Sequence, residues 1–480
     1  MAVAAGAARK RRVLAAMGCA GGMVMLDQTV VAVALDPMAR SLGLTAFVMH
    51  GVVLVYVLAL SAFAPVGGMA ARRFGLMNTF RLGVVLFTAA SGACGLAPAT
   101  ALAGPLLLLM RALQGVGAGL MLPVATTVIT DVYGERERGR ALAAYAGLAQ
   151  VFFALGPVVG AVLTQYLGWR SVFPVNLPVA AAALWLAARA RVAEHPDGTP
   201  LTAAQPLVVI PSVALFVLGL YQCGVGSPTD PRTFAVPAAG VLALALAVRL
   251  VLRSPRPLVD LRLLRIGPYA VATALTFLVQ APQLIVMVHG TLFLRQAMQL
   301  PALATGLALL PLVGSLTAGT YLSGHLVDRF RSARVPVLFG LATATVGAVF
   351  WTAALPSREY LWQVPGMALA GIGMGMPVPA LSAELMRAVP EGKRVDASVL
   401  RQTLRQLGGA VGLAVAGALV LAANDDSADG AGVITATAAP VAFVAASGFL
   451  CAALLLAAFE LRVRVHGRFE AVNSGHSGPG

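Results

Sequence analysis

The sequence contains very little charge for its length. Only 11% of its 480 residues are Asp, Glu, Lys or Arg, whereas 59% are apolar, and the mean hydropathy is +0.85. A water-soluble domain has about a quarter of its residues charged. This composition excludes a soluble globular protein and indicates a membrane protein.

Other scarcities exclude further classes of protein. The net charge is +15, but the basic residues are scattered between apolar runs and aromatic residues make up only 6%, which disfavours nucleic-acid binding. The four cysteines are far apart and show neither a disulfide framework nor metal-ligand spacing. The G-x-x-x-x-G-K-[ST] and H-E-x-x-H patterns are absent. We therefore expect no metal, no cofactor and no enzymatic activity.

Long apolar runs occupy most of the chain. A helix needs about 20 mostly apolar residues to cross the hydrocarbon core of a bilayer. Fourteen such runs are present, at residues 14–35, 47–70, 80–98, 102–123, 140–163, 172–190, 205–223, 234–252, 269–293, 303–326, 335–354, 361–385, 401–422 and 436–459. An even number of spans predicts that both ends of the chain lie on the same side of the membrane.

The basic residues indicate which side that is. Lys and Arg accumulate in cytoplasmic loops, and 27 of the 34 basic residues lie in segments on the side of the two termini. We therefore expect a multi-pass protein of the cell (plasma) membrane with both termini in the cytoplasm.

A short pattern recurs after the second and tenth runs. The chain reads GMAARRFG from Gly68 to Gly75 and GHLVDRFR from Gly324 to Arg331, so that both copies follow G-x-x-x-x-R-F. Either copy alone could be an ordinary basic cytoplasmic loop. Their recurrence predicts six helices, two extra helices and six more, as in transporters built from parallel repeats with a substrate site between the halves.

Several stretches carry a resemblance to a known family. These are LDQTVVAVAL in the first run, RALQGVGAGLMLP in the fourth, GLAQVFFALGPVVGAVL in the fifth, GWRSVFPVNLP after it, and RQLGGAVGLA in the thirteenth. In this order the chain resembles the fourteen-helix drug:proton antiporters of the major facilitator superfamily.

The resemblance implies an all-α membrane protein with the major facilitator fold, in which two six-helix bundles accompany two additional helices. The expected parts are a cytoplasmic N-terminal tail, the first bundle, a linker with the two extra helices, the second bundle and a cytoplasmic C-terminal tail, at residues 1–13, 14–190, 191–268, 269–460 and 461–480.

The implied function is secondary active export of amphipathic small organic molecules, such as drugs, antibiotics or natural products, in exchange for protons by alternating access. The expected partners are a small-molecule substrate, protons and the lipid bilayer, with no nucleic acid, and a monomer is expected. Two alternatives remain open: a proton-linked or facilitative transporter of an endogenous metabolite, and a non-transporting membrane receptor. An intramembrane enzyme would need facing acids or a metal set, and few acids lie within the runs.

Two charged residues within the runs are candidates for proton coupling. An ionisable side chain deep in a bilayer costs about 2.5 to 3.5 kcal/mol on insertion scales, so each one needs a reason. Asp27 lies in the middle of the first run and Arg111 in the fourth, with Gln114 one turn further along. A carboxylate at such a position can load and release a proton, with Arg111 as its partner, or it can be a permanently paired structural group.

Glycine and proline interrupt the fifth run at Gly147, Gly156, Pro157 and Gly160. Neighbouring helices can satisfy the backbone groups that a proline frees in a membrane, and small residues let helices approach closely. The segment is either a packing kink or, as the resemblance implies, an exporter motif that seals the two halves together. The resemblance also implies conformational roles for residues of the repeated loops and of the thirteenth run, namely Gly68, Arg73, Gly75, Gly324, Asp328, Arg329 and Arg405.

The substrate pocket is expected on the runs that open the second half and follow the repeat. Polar groups and adaptable methionines suit a wall that accepts varied shapes, although methionine also serves as core filler. The candidate lining residues are Gln114, Phe277, Gln280, Gln283, Met287, Met374, Met376 and Glu384.

The chain departs from the family pattern in three places, one of which is Gly51, where the family commonly has a tryptophan. Arg72 stands where the family has an acid in the first repeated loop, whereas Asp328 is retained in the second. Asp36 precedes Pro37 where the family has its proline one residue earlier. An altered latch in the first half is therefore expected.

Overall fold

The computed structural model describes residues 2–100, 102–133, 135–190, 192, 204–225, 230–254, 257–330, 332–390, 393–423 and 439–474. All the long regular elements within these ranges are α-helices. The helices of the first part of the chain are α1 (Ala2–Leu42), α2 (Ala46–Phe74), α3 (Leu76–Gly95), α4 (Ala103–Val132), α5 (Glu135–Leu167) and α6 (Asn176–Ala190).

The remaining helices continue in the same way. They are α7 (Ala204–Val225), α8 (Arg232–Arg253), α9 (Gly267–Leu292), α10 (Ala302–Ala308), α11 (Leu310–Phe330), α12 (Arg334–Ala354), α13 (Tyr360–Gly375), α14 (Pro377–Ala388), α15 (Arg394–Ala423) and α16 (Ala439–Ser474). Residues 293–297 extend α9 as a short π-helix.

Fourteen spans are present within the described ranges, which confirms the predicted number. Two of them are formed by two α-helices each, α10 with α11 and α13 with α14, and each of the other twelve contains one α-helix. Short 3-10 or π segments at residues 169–172, 293–297 and 355–357 complete three of these twelve spans. Because the number is even, both chain ends lie on one face, called here the terminal face, and the other is the opposite face.

The ends of several helices differ from their predicted positions. The fourth run was expected to end at Pro123, but α4 continues to Val132 because its neighbours enclose it and tolerate the lost backbone bond. The tail before residue 14 belongs to α1, and α16 extends to Ser474. Residues 475–480 of the expected C-terminal tail, and residues 191, 193–203, 226–229 and 255–256 of the expected linker, lie outside the described residues.

The helices pack in a pattern that matches the repeat. In the first part of the chain α1 packs on α4, α5 and α6, and α4 packs on α2 and α3. In the last part α9 packs on α14, α15 and α16, and α12 packs on α13 and α16. The two groups meet along a seam where α2 contacts α15, α5 contacts α10 and α11, and α1 contacts α9.

The two additional helices lie outside this seam. Helices α7 and α8 pack on each other, and α7 also contacts α2 and α15. The outer surface of α8 exposes large apolar side chains such as Val241, Leu242 and Leu246. An exposed apolar surface of this kind is stable in contact with lipid, so α8 faces the bilayer.

Candidate transport site

The two charged residues predicted within the spans form an ion pair inside the first group of helices. Arg111 Nη1 lies 2.6 Å from Asp27 Oδ2, and neither side chain is exposed. Gln114 Nε2 donates to Asp27 Oδ1 at 2.8 Å, and Arg111 Nη1 also donates to Gln114 Oε1 at 2.7 Å. Helices α1 and α4 therefore place an acid, a base and an amide in one closed hydrogen-bonded ring.

Four further groups hold this ring in place. Arg111 Nε donates to the Val52 carbonyl at 2.9 Å, and its guanidinium lies 4.2 Å from the centroid of the Tyr56 ring. Asn176 Nδ2 lies 3.4 Å from Asp27 Oδ1 and donates to Ser91 Oγ at 2.9 Å. The network thus connects α1, α2, α3, α4 and α6, and fixes the position of the carboxylate.

Sequence analysis missed Asn176 and Ser91. Both are buried polar residues in otherwise apolar segments, and Asn176 lies within the GWRSVFPVNLP stretch that was singled out. Because a buried polar group needs a partner, that signal could have marked Asn176 as part of a polar cluster. Its connection to Asp27, 149 residues away, depends on the packing of α6 beside α1.

The chemistry of this network is that of a buried charge pair. One carboxylate and one guanidinium compensate each other, so the buried site is neutral, and charge-assisted hydrogen bonds make the pair strong. Protonation of Asp27 would leave Arg111 as an uncompensated buried cation, which costs several kcal/mol in a buried site. The charge state of Asp27 is therefore coupled to the stability of this arrangement of helices.

A small central cavity lies on the seam between the two groups of helices. It encloses about 200 Å³ and is lined by Gln283, Met287 and Met374, with Phe153 from α5 and apolar residues of α9 and α11. Gln283 Oε1 is buried and has no hydrogen-bond partner.

The other predicted pocket residues lie elsewhere. Gln114 belongs to the Asp27 network, and Gln280 accepts a hydrogen bond from Arg405 Nε at 2.7 Å. Phe277 is outside the cavity lining, and its backbone packs on Gly408. Met376 is fully buried against Gly340 of α12.

Glu384 lies in a different cavity from the central one. That cavity encloses about 410 Å³ between α9, α12, α14 and α16, and Arg334 and Glu460 also line it. The residue is therefore remote from Gln283 and its neighbours in the central cavity. Its assignment to the substrate pocket stays a prediction.

The seam is closed at the terminal face by contacts between α2 and α15. Ser61 Oγ donates to the Thr403 carbonyl at 3.0 Å, and Gly68 packs beside Val399. Arg72 Nη1 lies 3.8 Å from Asp396 Oδ1 of α15. The residue that departs from the family pattern therefore forms an ion pair across the seam.

The seam is also closed at the opposite face. Buried Asp36 of α1 receives Arg295 Nη2 at 3.1 Å and Gln296 Nε2 at 3.2 Å, both from the end of α9. The rings of His50 and His289 stack across the seam with centroids 5.6 Å apart. Contacts between the two groups of helices are therefore present at both faces of the seam.

The glycines of the fifth run bring α5 against α1. A Cβ on Gly156 would overlap Thr29 Oγ1, and one on Gly160 would lie 2.9 Å from the Val30 carbonyl oxygen. Pro157 presents its carbonyl to Gly306 of α10. Gly147 lies near the terminal face, where a Cβ would be 3.4 Å from Tyr321 Oη of α11. The segment is therefore packed on α1 and on the seam together.

The structure describes only part of the two loops that carry the repeated G-x-x-x-x-R-F pattern. Gly75 ends α2 with a φ of 91°, a conformation that disfavours residues with a Cβ. Arg73 is exposed, and Arg329 is exposed with its guanidinium 5.9 Å from the Phe330 ring centroid. A Cβ on Gly324 would meet nothing within 4 Å. The side chain of Asp328 lies outside the described residues.

Sequence comparisons identify relatives over most of the chain. The Methylenomycin A resistance protein of Bacillus subtilis is 28% identical over 83% of this chain and 85% of its own length. The Multidrug resistance protein Stp of Mycobacterium tuberculosis is 29% identical over 85% of this chain and 75% of its own. The Tetracenomycin C resistance and export protein of Streptomyces glaucescens is 29% identical over 83% of this chain and 73% of its own length.

Comparison with solved structures supports the same fold. The xylose transporter XylE from E. coli, in a partially occluded inward-open conformation, has a TM-score of 0.64 at 13% identity and covers 94% of this chain and 99% of its own. A POT family transporter has a TM-score of 0.66 at 12% identity and covers 95% and 96%. The model of the Major Facilitator Superfamily matches residues 17–413. The chain therefore belongs to the major facilitator superfamily, a family of membrane transporters rather than enzymes.

Proposed function

We propose that this protein exports amphipathic small organic molecules in exchange for protons by alternating access. The observation that carries the proposal is the fully buried Asp27–Arg111 pair with its amide partners. A buried charge pair costs desolvation energy that a purely structural role does not require. The names of the relatives, which are resistance and export proteins, support export of drugs or antibiotics.

Protonation of Asp27 would drive the conformational change. With Asp27 ionised, Arg111 is compensated and the helices of the first group keep the arrangement seen here. A proton on Asp27 neutralises the carboxylate and leaves the cation of Arg111 uncompensated, so an arrangement that hydrates Arg111 becomes favoured. Return to the arrangement seen here would then release the proton on the other side of the membrane.

The central cavity is the proposed substrate site. Gln283 supplies an unsatisfied amide oxygen, and Met287, Met374 and Phe153 supply an adaptable apolar wall. Because α5 lines it from one group of helices and α9, α11 and α13 from the other, rocking of the two groups would widen it toward either face.

The orientation of the chain is also a proposal. The excess of basic residues on the terminal face supports a cytoplasmic location for both chain ends in the plasma membrane. The polar network and the cavity lie within a single chain, which supports a monomer as the functional unit. Proton entry from the opposite face and substrate entry from the terminal face follow from this orientation.

Everted membrane vesicles provide the test. A pH-sensitive dye is quenched when respiration acidifies the vesicle interior, and addition of an exported compound should restore the fluorescence as protons leave. We expect dequenching with the wild type and with Glu359→Gln, an exposed acid outside the network, and none with Asp27→Asn.

The other outcomes separate the alternatives. Dequenching by Asp27→Asn at the wild-type rate would refute coupling through this residue. Uptake of a metabolite into whole cells, with no export of any compound, would favour a metabolite transporter. Binding of a compound without a difference in accumulation would favour a receptor.

A further inference from the structure

Two arginines of α15 lie at the seam near the terminal face. Arg401 and Arg405 are one helical turn apart, and both are at most partly exposed. Their hydrogen-bond partners are neutral: Arg401 Nη1 donates to Ser382 Oγ at 3.2 Å, and Arg405 Nε donates to Gln280 Oε1 at 2.7 Å. Arg401 Nε is buried and has no partner. These two residues are called here the arginine dyad.

The acids that lie near the start of α15 are paired with other cations. Asp396 lies 3.8 Å from Arg72, and Asp260 lies 2.9 Å from Lys393. Glu384 lines the separate cavity that also contains Arg334. Among the described residues, no carboxylate lies within 4 Å of either arginine of the dyad. The positive charge of the dyad is therefore not compensated by a direct ion pair.

This arrangement is costly in the absence of an anion. A cation within a membrane span is unfavourable without a partner, and like charges one turn apart repel each other. The planar guanidinium group binds a carboxylate or phosphate through two parallel hydrogen bonds. An uncompensated pair of such groups is therefore suited to an anionic group supplied by another molecule.

The dyad lies next to the central cavity. Gln280, the partner of Arg405, precedes Gln283 by one turn on α9, and Gln283 lines the cavity. Thr403, which lies between the two arginines on α15, accepts a hydrogen bond from Ser61 of α2 at 3.0 Å, which places this turn of α15 against the first group of helices. Separation of α2 and α5 from α15 at the terminal face would expose the dyad below the cavity.

We propose that the arginine dyad binds the acidic group of an anionic amphipathic substrate. Arg405 holds a carboxylate or a similar anionic group, Arg401 adds the second charge, and the apolar part of the molecule enters the cavity beside Met287 and Met374. This inference rests on the proposed transport function and names the class of its substrate. It predicts a preference for anionic over cationic compounds of the same shape.

The test compares three probes that share one ring system. They are 1-naphthylacetate, its methyl ester and 2-(1-naphthyl)ethylamine, titrated calorimetrically into the purified full-length protein in nanodiscs. We expect the anion to bind at least about tenfold more tightly than the ester, because charge-assisted hydrogen bonds are worth that factor or more. In Arg405→Gln and Arg401→Gln this preference should fall to about threefold or less, while binding of the ester changes little.

Two variants test the chemistry of the dyad. Arg405→Lys keeps the charge but loses the bidentate geometry, so it should retain part of the preference. Arg249→Gln removes an exposed arginine of α8 and should leave the preference unchanged. A dyad variant that is poorly folded would lose binding of the ester as well. In that case the preference for the anion over the ester is measured in Arg405→Lys instead.

Several outcomes would overturn the proposal. These are equal binding of the three probes, tighter binding of the amine, an unchanged preference in the dyad variants, and absence of binding by all three. If inorganic phosphate binds as tightly as 1-naphthylacetate, the dyad is a site for inorganic anions and the proposal is refuted. If the wild type shows no preference for the anion but still catalyses proton-linked efflux in everted vesicles, the dyad proposal alone is refuted. Dyad-dependent binding with no efflux refutes the proposed function alone.

Discussion

The contact between Gly156 of α5 and Thr29 of α1 leads to a quantitative prediction. An alanine at position 156 would place its Cβ on Thr29 Oγ1 and 2.7 Å from Thr29 Cβ. Thr29 is fully buried, and its hydroxyl donates to the carbonyls of Leu26 at 3.1 Å and Phe153 at 3.3 Å. The hydroxyl cannot rotate away without losing these bonds, so Gly156→Ala must push α1 and α5 apart.

The expected loss of stability follows from two contributions. Overpacking of a buried site costs about 1 to 3 kcal/mol, and loss of the bond between Thr29 and Phe153 adds about 0.5 to 1.5 kcal/mol. We therefore expect Gly156→Ala to lower the free energy of unfolding by about 1.5 to 4.5 kcal/mol. Reversible unfolding of the purified protein in mixed micelles of increasing SDS content measures this change.

A second glycine of the same helix provides the control. A Cβ on Gly147 would lie 3.4 Å from Tyr321 Oη, an ordinary contact, so Gly147→Ala should change stability by about 0.5 kcal/mol or less. Adding Thr29→Ala to Gly156→Ala removes the overlapping oxygen and should recover about 1 kcal/mol. Equal stability of the two single variants would refute the close-packing argument.

Three further predictions concern the buried pair and the seam. Arg111→Met should lower the free energy of unfolding by about 3 to 5 kcal/mol, because it leaves Asp27 as a buried unpaired charge. Adding Asp27→Leu should recover part of this loss. A double variant that is no more stable than Arg111→Met would contradict the prediction. Asp36→Asn should lower the free energy that holds the opposite face closed by about 1.4 kcal/mol or more. Hydrogen exchange of the backbone amides of residues 293–297 should then be at least about tenfold faster. Unchanged exchange would contradict a role of Asp36 in this closure. Gly306→Leu should abolish transport while the protein still inserts in the membrane, because the leucine side chain would displace α5. The control Gly314→Leu should transport normally, since a Cβ on Gly314 has nothing within 4 Å. Similar transport by the two variants would show that the contact between α5 and α10 is not necessary.

The ion pair between Asp27 and Arg111 shows which contacts of the candidate site could be predicted from sequence. Each lies alone in a long apolar run, and the cost of an isolated charge in a bilayer requires a partner. Few charged residues lie within the runs, so the choice of partner was narrow. The pair was therefore predictable, whereas the contributions of Asn176 and Ser91 required knowledge of which helices are neighbours.

The candidate pocket was predicted less well for the same reason. Gln283, Met287 and Met374 do line the central cavity, but Phe153 was missed and Glu384 lies in another cavity. A methionine or glutamate in an apolar helix has the same sequence context on any face of that helix. Only the rotation of each helix against its neighbours decides which of these faces meets the seam.

The sequence by itself determined the number of spans and the repeated arrangement of the chain. Both follow from local properties, since the length of an apolar run decides whether a helix can cross the hydrocarbon core. The tertiary structure alone decided that Arg72 meets Asp396, that Asp36 meets Arg295 and that no acid of the described residues pairs with the arginine dyad. These contacts join residues more than a hundred positions apart, and their energies depend on distance, burial and competing partners, which exist only once the helices are packed.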